Sequence, residues 1–165
     1  MDDQTKKPPA ELSRLRDLMY VDRSLAVACT RGREAVVSRF RTLLNREDFS
    51  EQQWRVLRIL TDQEELTSAE ISALACIHKV SISRIVTSLE GRGMISRRAS
   101  NTDARASYIS LTPEGRTLME PLVLEATEIH LKIADEFGIE CYEQLLLLLR
   151  KLAEINKDNF GSFND

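Results

Sequence analysis

The sequence lacks a long apolar run, and none exceeds five residues, the length of the leucine run at 145–149. A helix that crosses a bilayer needs about 20 apolar residues, so no transmembrane helix is expected. The first residues, MDDQTKKPPAELSR, have no apolar segment of the kind that a signal peptide requires. We therefore expect a cytoplasmic protein with no membrane partner.

Cysteine and histidine are scarce and scattered. Cys29, Cys76 and Cys141 stand singly, and His78 and His130 are far apart in the chain. An odd number of cysteines without a secretory signal favours reduced thiols. Metal sites need several closely spaced ligands, so no metal is expected. No nucleophile–base–acid set and no phosphate-binding loop is visible, so we expect neither an enzyme nor a cofactor.

What the sequence does contain is a basic block inside an acidic chain. The formal net charge of the 165 residues is −3, yet residues 77–105 carry six basic side chains and two acidic ones. The segments on either side, 47–76 and 106–165, have net charges of −5 and −6. A polyanion close to the surface responds to the local field and not to the total charge. The block therefore favours a nucleic acid as partner.

The N-terminal part is predicted to be helical after a short tail. Residues 1–10 are polar and charged, which is typical of disorder, and residues 11–46 repeat apolar side chains at helical spacing. Ser50 and Gln53 form a capping box that begins the next helix, whose inward face includes Trp54.

The middle of the chain has the pattern of two helices and a hairpin. Thr67 or Ser68 caps a short helix, and a second amphipathic helix follows His78 and ends near Gly91. The stretches MISRR and SYISL then predict two short strands joined by the polar loop 99–107.

Two more helices complete the chain. Thr112 caps the first of them, and Pro113 fits its first position. The last helix, roughly 140–158, has apolar residues on two faces and needs two partners. Together with the long N-terminal helix it has more apolar surface than one small lobe can cover, which favours a homodimer.

This order of elements describes a winged helix-turn-helix. We expect a mainly α fold with an α/β wing, in which the DNA-binding lobe at 47–112 lies between dimerisation helices at 11–46 and 113–165. The amphipathic helix after His78 would enter the major groove and the hairpin would follow the duplex. The candidate DNA contacts are Lys79, Ser81, Ser83, Arg84, Thr87, Ser88, Arg97, Arg98, Asp103 and Arg105.

Some of these residues have a second interpretation. Asp103 and Arg105 could be solvated turn residues, but the helix before them favours a wing whose Arg105 enters a narrow minor groove. Phosphate would repel Asp103, so we expect it to orient Arg97 or Arg98 and not to touch DNA. Only one of these two arginines can face the duplex, because neighbours alternate along a strand. Val80 is either a staple at the helix start or a contact to a thymine methyl group.

The stretch SLEGRGMISRRASNTDARASYISLTPEG resembles the signature of the MarR family of transcriptional regulators. That signature has an Asp-x-Arg pair, here Asp103 and Arg105, and a Leu-Thr-x-x-Gly helix start, here Leu111, Thr112 and Gly115. The resemblance covers about residues 24–157. It implies a homodimer with interlocked first and last helices, two lobes on a pseudo-palindromic operator, and a small, often phenolic or aromatic ligand that weakens DNA binding.

Two further stretches, REAVVSRFRTLL and SEQQWRVLRIL, are similar to the branch of this family that represses homoprotocatechuate degradation. The segment around His78 departs from that branch, so the resemblance does not predict the operator sequence. The resemblance implies a small aromatic carboxylate as effector, with Arg33, Trp54 and Cys29 as candidate ligand residues. Arg33 is either an anchor for the carboxylate or a surface arginine. Trp54 is a core residue or a pocket wall, and Cys29 is a small buried hydrophobe or a redox-sensing thiol.

Two other functions compete with a ligand-responsive repressor. One is a regulator of the same fold that senses oxidants through Cys29. The other is a winged-helix module that binds proteins and not DNA, against which the six basic residues of 77–105 argue.

Overall fold

The computed structural model describes residues 24–99 and 107–155. Outside the described residues lie the predicted tail, residues 11–23 of the predicted helical segment, and the loop that carries Asp103 and Arg105. The chain divides after Arg39 into two compact units. The hydrophobic core belongs to the second unit, which begins at Phe40.

The described residues form six α-helices and one three-stranded sheet, in the order predicted for a winged helix-turn-helix. In chain order the elements are α1 (Leu25–Arg46), α2 (Glu51–Asp62), β1 (Leu66–Thr67), α3 (Ser68–Ala75), α4 (Lys79–Gly91), β2 (Ile95–Ala99), β3 (Ser107–Leu111), α5 (Pro113–Phe137) and α6 (Ile139–Glu154). The mainly helical fold with a small wing sheet is thereby confirmed.

Side-chain caps begin α2, α3 and α5, as predicted. The Ser50 hydroxyl accepts a hydrogen bond from the Gln53 amide at 3.1 Å, and the Gln53 side chain accepts one from the Ser50 amide at 2.8 Å. Thr67, and not Ser68, caps α3 and forms a second capping box with Glu70. Hydrogen bonds from the backbone and the hydroxyl of Thr67 lower the pKa of the Glu70 carboxyl, because they favour its charged form.

The sheet has the strand order β1-β3-β2, and both pairs are antiparallel. In the wing, Ile95 pairs with Leu111 and Arg97 pairs with Ile109. The sequence did not indicate β1, because a strand of two residues is too short to show the alternation by which strands are recognised. Its pairing with β3 attaches the start of α3 to the wing.

Several predicted apolar faces are only partly buried. In α1, which was predicted from apolar side chains at helical spacing, the buried residues are Phe40, Leu43 and Leu44, whereas Leu25 is exposed. No residue of α6 is buried. Among the described residues, no helix is both long and apolar enough to cross a membrane.

The first turn of α5 lies directly against the residue that precedes β2. The Thr112 amide donates to the Met94 carbonyl at 3.0 Å, and the Thr112 hydroxyl donates to the Gly93 carbonyl at 2.6 Å. A Cβ atom on Gly115 would lie 2.0 Å from the Met94 oxygen, a distance that backbone atoms cannot accept. Glycine at position 115 is therefore what allows α5 to start against the wing.

We expect Gly115→Ala to lower the free energy of unfolding by about 3 kcal/mol, because overpacking against backbone cannot be relieved by a rotamer change. Urea unfolding of the purified protein measures this change. Gly91→Ala is the matched control, since no atom lies within 4 Å of a Cβ built there, and it should change the free energy of unfolding by less than about 1 kcal/mol. Equal stabilities of the two variants would contradict the close contact.

Candidate nucleic-acid interface

Helix α4 has one buried face and one exposed face, as its apolar spacing predicted. The buried side chains are Ile82, Ile85, Val86 and Leu89, which belong to the core. Five of the predicted DNA contacts are among its exposed residues, namely Lys79, Ser83, Arg84, Thr87 and Ser88. The sixth, Ser81, is half-buried. A helix held by such a core presents small polar and basic side chains outward, which suits entry into a major groove.

The N-terminal end of α4 is capped by an imidazole. His78 is the N-cap, and its Nδ1 accepts a long hydrogen bond of 3.4 Å from the Val80 amide. Val80 is 58% exposed, so it does not act as a buried staple and its side chain is open to a partner. The free amides of this helix end favour a negatively charged group, such as a phosphate.

Arg97 connects the wing to the exposed face of α4. Its Nη2 donates to the Thr87 hydroxyl at 2.9 Å and forms an ion pair with the Glu90 carboxylate at 2.9 Å. Arg97 therefore lies on the α4 side of β2. The Glu90 carboxylate partly neutralises the positive charge of this surface.

Arg98 contacts residues that do not belong to α4. Its guanidinium contacts both carboxylate oxygens of Glu65 at 2.9 Å and 3.0 Å and lies 5.1 Å from the centre of the Tyr108 ring. The two neighbouring arginines thus have different surroundings, as strand alternation predicts. Asp103, which we expected to orient one of them, lies outside the described residues, and the acidic partners that the structure describes are Glu90 and Glu65.

Ser88 is a predicted DNA contact that the fold already engages. Its hydroxyl lies 3.1 Å from Nε2 of Gln53, which donates to it. The hydroxyl proton remains available to another acceptor, but the contact joins the last turns of α4 to the first turn of α2.

A second group of residues combines aromatic rings with a cation. Trp54 is buried, with 9% of its surface exposed, and Arg58 follows it one helical turn later on α2. Arg58 contacts the Thr61 hydroxyl and forms an ion pair with Asp62 at 3.1 Å. Arg58 was not among the predicted ligand residues, although its place four residues after the only tryptophan of the sequence was a signal that could have indicated it.

His130 on α5 belongs to the same group. Its ring lies 5.0 Å from the ring of Phe40. Burial of the imidazole is the main cause that lowers the pKa of His130, and the positive charge of Arg58 lowers it further. The side chains of α2 and α5 that meet here could contact an aromatic acid through rings and a guanidinium.

Two of the predicted ligand residues lie on α1 within the first compact unit. Cys29 is exposed, so the expectation that it is a small buried hydrophobe is wrong for the single chain. The reason is that α1 buries no side chain before Phe40. Arg33 is also exposed and has an interaction partner. Its role as an anchor for a carboxylate stays a prediction.

Comparison with known proteins places this geometry in a family. Residues 49–107 match the sequence profile of the MarR family. The homoprotocatechuate degradative operon repressor of Escherichia coli is 35% identical over 128 residues, which are 78% of this chain and 86% of that repressor. The HTH-type transcriptional regulator FarR of Neisseria gonorrhoeae is 34% identical over 134 residues, which are 81% of this chain and 90% of FarR.

The same similarity is present among solved structures. NadR in complex with 4-hydroxyphenylacetate superposes on this chain with a TM-score of 0.72 and 31% identity. The match covers 82% of this chain and 98% of NadR.

The lowered pKa of His130 predicts a loss of stability in acid. The unfolded chain takes up this proton as the pH falls through about 6.5, whereas the folded chain takes it up only at lower pH. The contribution is therefore complete above about pH 6.5 and decreases as the pH falls from there through the folded pKa. Urea unfolding from neutral to mildly acidic pH should show this loss for the wild-type protein, and His130→Gln should reduce it. His78→Gln leaves His130 and its neighbours in place and should keep it; equal pH dependence of wild type and His130→Gln would contradict the assignment.

Proposed function

The chain belongs to the MarR family of transcriptional regulators, and on this basis we propose that it is a ligand-responsive repressor of an operon for aromatic catabolism. It binds a pseudo-palindromic operator as a homodimer and is released by a small phenolic acid. The observation that carries the DNA-binding part is the exposed face of α4, where basic and small polar side chains stand beside Arg97 of the wing.

The exposed apolar surface supports the homodimer. Helix α6 buries none of its residues in the single chain, although it contains five consecutive leucines. A soluble monomer rarely exposes so much contiguous apolar surface, and a second copy of the same helix could cover it. Two copies would place two α4 helices on successive major grooves, about 34 Å apart.

The relatives support an aromatic acid as effector. One relative is named for homoprotocatechuate degradation, and one similar structure contains 4-hydroxyphenylacetate. Both names describe an aromatic ring that carries a short acidic side chain. In this chain, Trp54 supplies an aromatic surface, and Arg58 supplies a guanidinium one turn away. We assign Arg58 as the anchor of the carboxylate, and Arg33 remains the alternative.

The two wing arginines test the DNA-binding part. Arg97→Ala should weaken binding to the DNA upstream of the protein's own gene. It should also reduce the magnitude of the negative slope of log affinity against log salt by about 0.9, because one phosphate contact is lost. Arg98→Ala is the matched control, since the partners of Arg98, Glu65 and Tyr108, lie outside α4 whereas those of Arg97 lie on it, and it should leave the slope unchanged. Fluorescence anisotropy at several salt concentrations measures both.

Equal changes of slope in the two variants would contradict the orientation of the wing. Arg105→Ala belongs in the same series, and we expect it to weaken binding severely while thermal unfolding stays nearly unchanged. Wild-type protein that binds no upstream fragment even at low salt would contradict the DNA-binding function itself and would favour a protein-binding module.

Thermal unfolding with added acids tests the effector. At a ligand concentration of about 100 times Kd, homoprotocatechuate or 4-hydroxyphenylacetate should stabilise the wild-type protein by about 2.7 kcal/mol. Arg58→Ala should abolish this stabilisation and Arg33→Ala should retain it, because a carboxylate needs a charged, bidentate partner. The neutral phenol 4-ethylphenol, which has no carboxylate, is the ligand control and should have little effect. Loss of the response in Arg33→Ala alone would move the anchor to Arg33, and no response to any acid would contradict the effector class.

A further inference from the structure

The turn between α1 and α2, which we call the corner (residues 46–50), ends α1 in a defined way. Asp48 has a φ of 53°, and its amide donates to the Asn45 carbonyl at 3.3 Å. The Phe49 amide donates to the Leu44 carbonyl at 2.9 Å. These two bonds form a Schellman motif with aspartate in the left-handed position. The carbonyls of Glu47 and Asp48 are then left to find partners outside α1.

Arg92, which follows α4 directly, supplies those partners. Its Nη1 donates to the Asp48 carbonyl at 2.8 Å, and its Nη2 donates to the Glu47 carbonyl at 2.9 Å. The guanidinium carbon also lies 4.5 Å from the centre of the Phe49 ring. A cation at the C-terminal end of a helix is favoured by the helix dipole. One side chain thus binds two carbonyls of the corner, lies near the negative end of the α1 dipole and stacks on an aromatic ring.

A second contact joins the preceding turn of α4 to the same region. Ser88, four residues before Arg92, accepts the hydrogen bond from Gln53, whose side-chain oxygen in turn accepts from the Ser50 amide of the corner. Residues four apart lie on the same side of a helix. The last two turns of the recognition helix are therefore attached along one side to the corner and the start of α2.

The corner is also attached to α5. Arg46 forms a two-pronged contact with Glu125, at 2.7 Å to Oε2 and 3.3 Å to Oε1, and its Nε contacts Glu47 at 2.7 Å. Polar contacts thus lead from α5 through Arg46 and the corner to Arg92. All of these residues belong to the second compact unit.

We propose that Arg92 is a positioning residue for DNA binding. It holds the recognition helix α4 at its angle by capping the C-terminal end of α1, and it does so without contacting DNA. This inference rests on the proposed DNA-binding function. It also assigns Ser88 a part in orienting α4, in addition to the DNA contact predicted from sequence.

Salt dependence separates positioning from direct contact. A residue that neutralises a phosphate contributes about −0.9 to the slope of log affinity against log salt. A residue that only orients the helix contributes nothing to this slope. Arg92→Ala should therefore weaken binding to the upstream DNA about tenfold, a typical size for coupling within a protein, with the slope unchanged. Arg92→Lys should recover part of the affinity, because an ammonium keeps the charge but lacks the planar fork that serves two carbonyls.

The measurement uses the full-length protein well below its unfolding temperature, with the active fraction set by stoichiometric titration, so that a loss of folded protein does not count as a loss of affinity. Lys132→Ala removes an exposed cation of α5 and is the control for charge alone; it should leave affinity and slope unchanged. Arg97→Ala is the control for a phosphate contact.

Three outcomes would overturn the inference. The first is wild-type affinity of Arg92→Ala. The second is a loss of affinity together with a salt slope whose magnitude is smaller by about 0.9, which would make Arg92 a phosphate contact. If Arg92→Ala does not fold, Arg92→Lys decides, and wild-type affinity of that variant is the third. Wild-type protein that binds no DNA would defeat the proposed function before Arg92 is tested.

Discussion

The structure depends above all on burial of one face of α4. Ile82 and Leu89 are completely buried, and Ile85 and Val86 nearly so, in a core built by α2, α3 and the wing sheet. Because a helix turns about 100° per residue, burying these four positions leaves the opposite side in solvent. The exposed polar face that makes the protein a candidate DNA reader is thus a consequence of the core and not a separate feature.

Positive charge near that face has two uses. Residues 77–105 carry six basic side chains, but Arg92 binds backbone carbonyls of the corner and Arg98 is paired with Glu65. Of these three arginines, Arg97 is the one whose partners, Glu90 and Thr87, lie on the exposed face of α4. Fewer than six of these basic side chains are therefore available to contact DNA phosphates, because some of them form contacts within the lobe. Contacts of this kind join α4, the wing and the corner within the lobe.

The local elements were predictable because their causes are local. Capping boxes, the proline at the start of α5 and the apolar spacing of α4 each depend on residues within one or two turns. Strand β1 and the contacts of Arg92 were not predictable, because they join residues that are more than 40 positions apart. The proximity of Arg58 to His130 was not predictable for the same reason, since His130 lies on another helix, although the spacing of Arg58 from Trp54 was a local signal.

By itself the sequence determined the order of the elements, the helix starts, the face of α4 that faces outward and the resemblance to one family. The first three follow from periodicity and from short-range hydrogen bonds, which every compact form of the chain must satisfy, whereas the resemblance follows from the residues of the wing motif. Only the tertiary structure decided which arginines hold the lobe together and which one stands beside the recognition helix. A guanidinium takes whichever carbonyl, carboxylate or ring the folded chain brings within about 3–5 Å, and its neighbours in sequence do not reveal that choice.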